Sequence, residues 1–272
     1  MFTSLTPTFR SRATGIASAV AALVLAGSSL AQAAPAAPAN FSTRDTSALP
    51  VVYLAGANDM PALNKDIAKN VQDAGMQFFA WYPLLASVKD KSISLYDNME
   101  AYSASVDAFV KSVLQKTGAP QVNIVTYSQS GLINQTWMKK HGGARYVAKV
   151  INYSGLLQGS PFGAIATNVT GDCLGFGTCV DFDPWGQLVT DLNKHGEAAP
   201  GVIYYNITSK YDEMAMPYQV NFMYAHTGNY MNVLLQDYCP ANKAGHLMLP
   251  HASATRSITL QAIKGQPLNP KC

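Results

Sequence analysis

The sequence predicts an α/β fold, in which a central, mostly parallel sheet of about six strands carries helices on both faces. Two observations predict it. Short apolar runs alternate along the chain with segments whose apolar residues recur every three or four positions, the strand–helix–strand order of crossover units. The first run, Val51 to Leu54, is apolar throughout instead of alternating with polar residues, as a strand covered on both faces requires. Of the 272 residues, 48% are hydrophobic and only 13% charged, which suits one large core and excludes a disordered chain.

The elements follow in order. Pro50 to Leu54 reads as the first strand, and residues 61–74, with Leu63, Ile67 and Val71 at helical spacing, as the first helix. Met76 to Tyr82 carries four aromatic side chains and reads as the second strand. From 99 to 116, apolar residues fall at Tyr102, Val106, Phe109, Val110, Val113 and Leu114, the stripe of an amphipathic helix that Gly118 ends. Val122 to Tyr127 is a third strand, followed at once by a helix to about Lys140, and Val147 to Tyr153 is a fourth strand. Asp183 and Pro184 read as an N-cap and first helical residue, opening a helix to Leu192. Val202 to Ile207 and Val233 to Leu235 are the fifth and sixth strands, and Ala252 to Ile263 the last helix. The Gly-rich segment 155–183 has little periodicity and reads as a pocket-lining or lid segment.

The 19 basic residues against 16 acidic ones give +3, too little to suggest a nucleic-acid partner. The longest apolar run is too short for a stable membrane span. Arg10 and Arg12 precede that run, which extends from Ala19 to Gly27, and Ala31-Gln32-Ala33 follows it as a small-x-small site. Residues 1–33 therefore read as a secretory signal peptide cut before Ala34. Residues 34–48, rich in Ala, Pro, Ser and Thr, read as an extended N-terminal arm, and 49–272 as a single domain. The expected location is secreted, extracellular or periplasmic. Cys173, Cys179, Cys239 and Cys272 all lie in the mature part, and an even count in an exported chain favours two disulfides. Three pairings are open; the preferred one joins Cys173 to Cys179 around a Gly-rich loop and Cys239 to Cys272 at the C-terminal tail. No His stands at ligand spacing from a Cys pair, which argues against zinc. Capping and turn roles account for Asp172, Asp181 and Asp183 without calcium.

The third strand runs directly into Ser128-Gln129-Ser130-Gly131 and a helix, the setting of a nucleophile elbow that lifts a Ser above the sheet. Such a turn wants small residues two before and two after the Ser; here they are Thr126 and Ser130 instead of glycines. Taken alone, the pattern also fits a Ser that merely caps a helix. An acid and a base in the order Ser…Asp/Glu…His strengthen the catalytic alternative. Asp212 follows the fifth strand and His246 the sixth, where loops from neighbouring strands converge. Asp237 is the second candidate for the acid, and His251 and His226 are the further candidates for the base; His141 and His195 precede Asp212 and break the order. Glu213 is expected to point away from Asp212's side, and His251 to cap the last helix.

The elbow, the Y-D-E-M-x-x-P segment Tyr211 to Pro217 and the L-Q-D-x-C-P…H segment Leu235 to His246 resemble the class 2 secreted lipases and esterases of the α/β-hydrolase superfamily, a group that includes actinobacterial lipase/esterases and the yeast lipase-B type. The resemblance covers roughly residues 48–265. It implies an α/β-hydrolase fold, Ser128 as nucleophile, Asp212 as triad acid and His246 as base. The yeast lipase-B type also carries Thr at the place of Thr126, whereas Ser130 departs from the usual Gly and brings a hydroxyl that needs a partner. The frequent His-Gly after the first strand is Ala55-Gly56 here. Ala57 matches the oxyanion-hole position through its backbone N–H, and Gln129 supplies the second donor. Leu156, Leu157, Phe162, Met214 and Met216 are candidates for an acyl pocket, each also explicable as core.

These residues imply a secreted serine hydrolase of carboxylic esters, a lipase or esterase, acting through an acyl-enzyme without metal or organic cofactor. The expected partner is an ester or lipid substrate, taken by a monomer. An acyltransferase on the same triad and a non-catalytic binding protein on the hydrolase fold are the alternatives.

Overall fold

Six strands pair side by side, the four inner ones buried along their whole length. A computed structural model describes residues 41–272 apart from 58, 89–90, 92, 95–96, 162–164, 166–176, 195 and 226. The chain divides into two compact units between Ala33 and Ala34, and everything described belongs to the second, Ala34–Cys272. The strands are β1 (Val51–Leu54), β2 (Phe78–Trp81), β3 (Val122–Tyr127), β4 (Val147–Tyr153), β5 (Ile203–Thr208) and β6 (Asn229–Leu234). They form one sheet in the order β2-β1-β3-β4-β5-β6. Every pair is parallel, so all strand ends that lead into the helices open on one edge.

The helices are α1 (Lys65–Asp73), α2 (Pro83–Val88), α3 (Met99–Thr117), α4 (Ser130–Lys140), α5 (Gly177–Val180), α6 (Gln187–Asn193), α7 (Leu235–Tyr238) and α8 (Ser253–Ile263). Alternate strand residues divide the core in two. Val52, Leu54, Ile124, Val150 and Tyr204 pack with α3, α4 and α6 on one face. Val51, Tyr53, Val125, Ile151 and Tyr205 pack with α1 and α8 on the other. α3 starts where Asn98 accepts the Ala101 N–H at 3.1 Å and stops at Gly118, whose φ of 68° needs a residue without Cβ.

Most predicted elements stand within a few residues of their expected bounds, and four readings need correction. α2 follows β2 at once and was not expected. α6 does not open at Asp183: the Asp183 carboxylate accepts the Trp185 N–H in a turn closed by Gly186, and the helix starts at Gln187. β6 begins at Asn229, four residues before the predicted Val233. His251 does not cap α8, whose N-cap is Ala252; its ring meets Asp66, to which Arg256 also donates at 2.8 Å. Asp181 does have a capping role, accepting the Met99 N–H at the start of α3.

The described part of the N-terminal arm is tied to the domain. Thr46 donates to Ile263 through both its N–H and its hydroxyl, and its carbonyl accepts from Asn123. Phe41 packs edge-on against Tyr205. Cys239 and Cys272 form a disulfide. Cys179 is disulfide-bonded too, while Cys173 lies outside the described residues.

Candidate active site

β3 ends and α4 begins within three residues, and Ser128 takes up the change of direction with a φ of 57°. A non-Gly residue held there costs on the order of 1–3 kcal/mol, which the packing around it must offset. Its N–H donates to Tyr153 O on β4 at 2.9 Å, and its carbonyl accepts the Gly131 N–H. The closest approach of the turn falls at Gly131, where a Cβ would lie 2.2 Å from the Gly155 carbonyl oxygen.

Both departures from the glycine pattern carry a hydroxyl that is used. Ser130 is fully buried and donates to the Ala55 carbonyl, a group whose burial without a partner would cost about 1–3 kcal/mol. Thr126 donates to Asn152 Oδ1 at 2.6 Å, Asn152 to Asn206 Oδ1 at 2.8 Å, and Asn206 to Asn232 Oδ1 at 2.9 Å. These four side chains form one row across β3, β4, β5 and β6, following the register of the sheet.

The loops after β5 and β6 bring Asp212 and His246 to Ser128. His246 Nε2 lies 2.9 Å from Ser128 Oγ, and its Nδ1 lies 2.9 and 3.0 Å from the two Asp212 oxygens. The imidazole therefore bridges hydroxyl and carboxylate. Asp212 and His246 are each 4% exposed. Burial pushes the Asp212 carboxyl up, but the hydrogen bond and charge of His246, with bonds from the Ser154 hydroxyl and the Ala215 N–H, outweigh it. Its pKa lies below the ordinary carboxylate value, so it stays ionised at neutral pH.

The backbone of His246 is gripped by the chain neighbours of the other two residues. Glu213, next to Asp212, accepts the His246 N–H at 2.8 Å, and Tyr127, before Ser128, donates its hydroxyl to the His246 carbonyl at 3.2 Å. Glycine at 245 leaves room for this bond, since a Cβ there would lie 2.2 Å from Glu213 Oε2 and push it aside. Burial, with the charges of Asp59, Asp212 and Glu213, keeps the Tyr127 phenol protonated far above its ordinary range.

Ala57 lies just beyond β1, in a loop pressed against the elbow: a Cβ on Gly56 would meet the Tyr127 ring at 2.7 Å. Asp59 closes this loop. Its carboxylate accepts from Tyr53 Oη at 2.9 Å and from the Gly56 N–H at 3.4 Å. Among the described residues, the backbone N–H groups of Ala57 and Gln129 donate to no protein acceptor. The Gln129 side chain is held in turn by the Thr178 hydroxyl at 3.0 Å, next to the disulfide-bonded Cys179.

The geometry thus brings together Ser128, Asp212 and His246, with Ala57 and Gln129 beside them. Asp237 is exposed, His251 is engaged with Asp66 and His141 with Glu100. His195 and His226 lie outside the described residues, as does Phe162. Leu156 and Leu157 are core residues, whereas Met214 and Met216 are exposed, along with Tyr211, Leu247 and Met248 on the loops that carry Asp212 and His246. Sequence reasoning missed Tyr127, Glu213, Ser154 and Thr178 as supports. Adjacency to the triad could have signalled the first two; the others are joined to it only by folding.

A scan against protein-family models finds no match, and no curated protein matches the sequence. Solved structures do match. Aspergillus fumigatus lipase B has a TM-score of 0.62 at 14% identity, over 86% of this chain and 56% of that one. A gene product of Listeria innocua has a TM-score of 0.54 at 11% identity, over 80% and 95%. A structure of the metagenome-derived lipolytic enzymes LipS and LipT has 0.52 at 12% identity, over 80% and 92%. The chain spans little more than half the length of the Aspergillus protein it matches. At these identities the likeness shows the fold, and with the parallel six-stranded sheet it is the α/β-hydrolase fold.

Proposed function

We propose that the chain is an exported serine hydrolase of carboxylic esters, a lipase or esterase of the class 2 secreted type. The observation that carries the reading is the continuous bridge Ser128–His246–Asp212 on a strained strand-to-helix turn. In this mechanism Ser128 Oγ attacks the ester carbonyl as His246 Nε2 takes its proton. Asp212, ionised and bonded to Nδ1, fixes the tautomer and stabilises the imidazolium. The Ala57 and Gln129 N–H groups receive the oxyanion, each such donor typically contributing about 3–4 kcal/mol to lowering the barrier. The alcohol leaves with the proton from His246, and water then hydrolyses the acyl-enzyme by the same route. The exposed Tyr211, Met214, Met216, Leu247 and Met248 favour an apolar substrate, since they lie on the two loops that carry Asp212 and His246.

Hydrolysis of p-nitrophenyl esters of short, medium and long acyl chains by wild type and Ser128→Ala tests the reading. Ser128→Ala should lower kcat by about 10⁴-fold or more. Equal, background-level rates for the two proteins across the whole series would refute it.

A further inference from the structure

In a serine esterase the oxyanion donors must stay in register with the nucleophile, yet here Ala57 and Ser128 belong to different loops. We propose that Ser130 is a positioning residue whose hydroxyl ties the Ala57 loop to the helix that carries Ser128. The inference rests on the esterase reading of the site.

The tie is built from buried groups. Ser130, the first residue of α4, is fully buried and donates to the Ala55 carbonyl. The Ala55 N–H donates to Trp81 O on β2 at 3.0 Å. Ala55 is therefore pinned to the sheet through one backbone group and to the nucleophile's helix through the other. Four residues on, Asp59 fastens the loop a second time, accepting from Tyr53 Oη on β1 and from the Gly56 N–H. Its own N–H returns to the Gly56 carbonyl at 3.2 Å. Gly56 has no room to swing towards the elbow, because the Tyr127 ring already fills the space of a Cβ. Between these anchors stands Ala57, with its N–H unspent among the described residues. Gln129 and Ser130 are consecutive, so one turn of backbone offers the second donor and also the hydroxyl that holds the first donor's loop. A glycine at 130 would make the same turn and leave the Ala57 loop tied only to β1 and β2.

The test is kcat and KM on p-nitrophenyl butyrate for wild type, Ser130→Ala, Ser130→Gly and Ser130→Thr, with active sites counted by alkyl-phosphonate labelling taken to completion. Ser130→Ala should lower kcat per labelled site by roughly 10–100-fold, the effect of a small misplacement at a reacting centre. KM should stay within about twofold, because ground-state contacts are untouched. The pH–rate profile should keep its wild-type shape, and Ser130→Thr, which retains the hydroxyl, should recover part of the lost kcat. Should Ser130→Ala not fold, Ser130→Gly reads the same loss with a smaller side chain. A kcat per labelled site within about twofold of wild type in the folded variants, with only the labelled fraction or the melting temperature reduced, would show a purely structural role and overturn the proposal. A wild type that neither hydrolyses the ester nor takes the phosphonate on Ser128 would sink the esterase reading and this inference with it; an active wild type beside an unimpaired Ser130→Ala sinks the inference alone.

Discussion

Asp212 is almost wholly buried, yet its carboxyl is held below the ordinary value of 3.8 by the groups that surround it. The sign follows from the shift. A carboxyl with a depressed folded pKa contributes stability above its unfolded pKa and loses it as pH falls through the folded one. Wild type should therefore exceed Asp212→Asn in melting temperature at pH 6, and the gap should close as pH drops below about 3.8. Parallel curves down to pH 2 would refute the linkage. In the same variant, kcat should fall by about 10⁴-fold, because an amide in place of the carboxylate favours the wrong imidazole tautomer. At this scale the site was legible where chemistry restricts residue type. Ser, Asp and His in triad order, each just past a strand, pointed to three side chains that do meet. The supports were less legible. Glu213 was expected to point away from Asp212's side, yet its carboxylate holds the N–H of the same His246 whose ring Asp212 holds. Ser154 and Thr178 carry no local mark, since hydroxyl residues of the same kind are spread along the chain.

Lys149 shows how an element can conceal its chemistry. It lies in the middle of β4 with no exposed surface, and donates to the carbonyls of Arg44, Ala262 and Ile263. One amine thus joins the N-terminal arm, the sheet and the end of α8. Burial pushes its pKa from 10.5 down to about 8, with Asp45 opposing and Arg44 adding to the shift. A cation with a lowered folded pKa makes the unfolded chain the better proton binder between those two values, so its contribution to stability rises with pH there. Urea melts of wild type and Lys149→Met from pH 7.5 to 10.5 should show wild type gaining on the variant through that window; a constant difference would contradict it. β3 and β4 were readable to the residue because their backbones are buried on both faces and their ends fall at turns. β6 was not. Asn229 and Asn232 resemble turn residues, and only long-range bonds, to Asn206 in the row across the sheet and to the Met223 backbone, satisfy Asn232 inside a strand. α6 was displaced because Asp183 serves a turn of its own before the helix starts.

For the molecule as a whole, the fold class was evident from the alternation of elements, since a two-faced parallel sheet leaves few other arrangements of apolar runs. The same scale holds the export proposal, supported by the Cys239–Cys272 disulfide, a bond suited to an oxidising compartment. N-terminal sequencing of protein recovered from outside the cytoplasm should read Ala34 first; an intact Met1 would contradict the cut. The polar row across the sheet has a further consequence. Its far member, Asn232, gives an amide proton to Met223 O and accepts the Met223 N–H, and a peptide group cannot turn over. That fixes which end of Asn232 is oxygen, so Asn206 must face it with its NH₂, Asn152 must do the same to Asn206, and Thr126 must give its proton to Asn152. The row is thus a one-way signal: the orientation of a hydroxyl two residues before Ser128 is dictated three strands away, and an aspartate at 152 or 206 would set oxygen against oxygen at the next strand, because it has no proton to give.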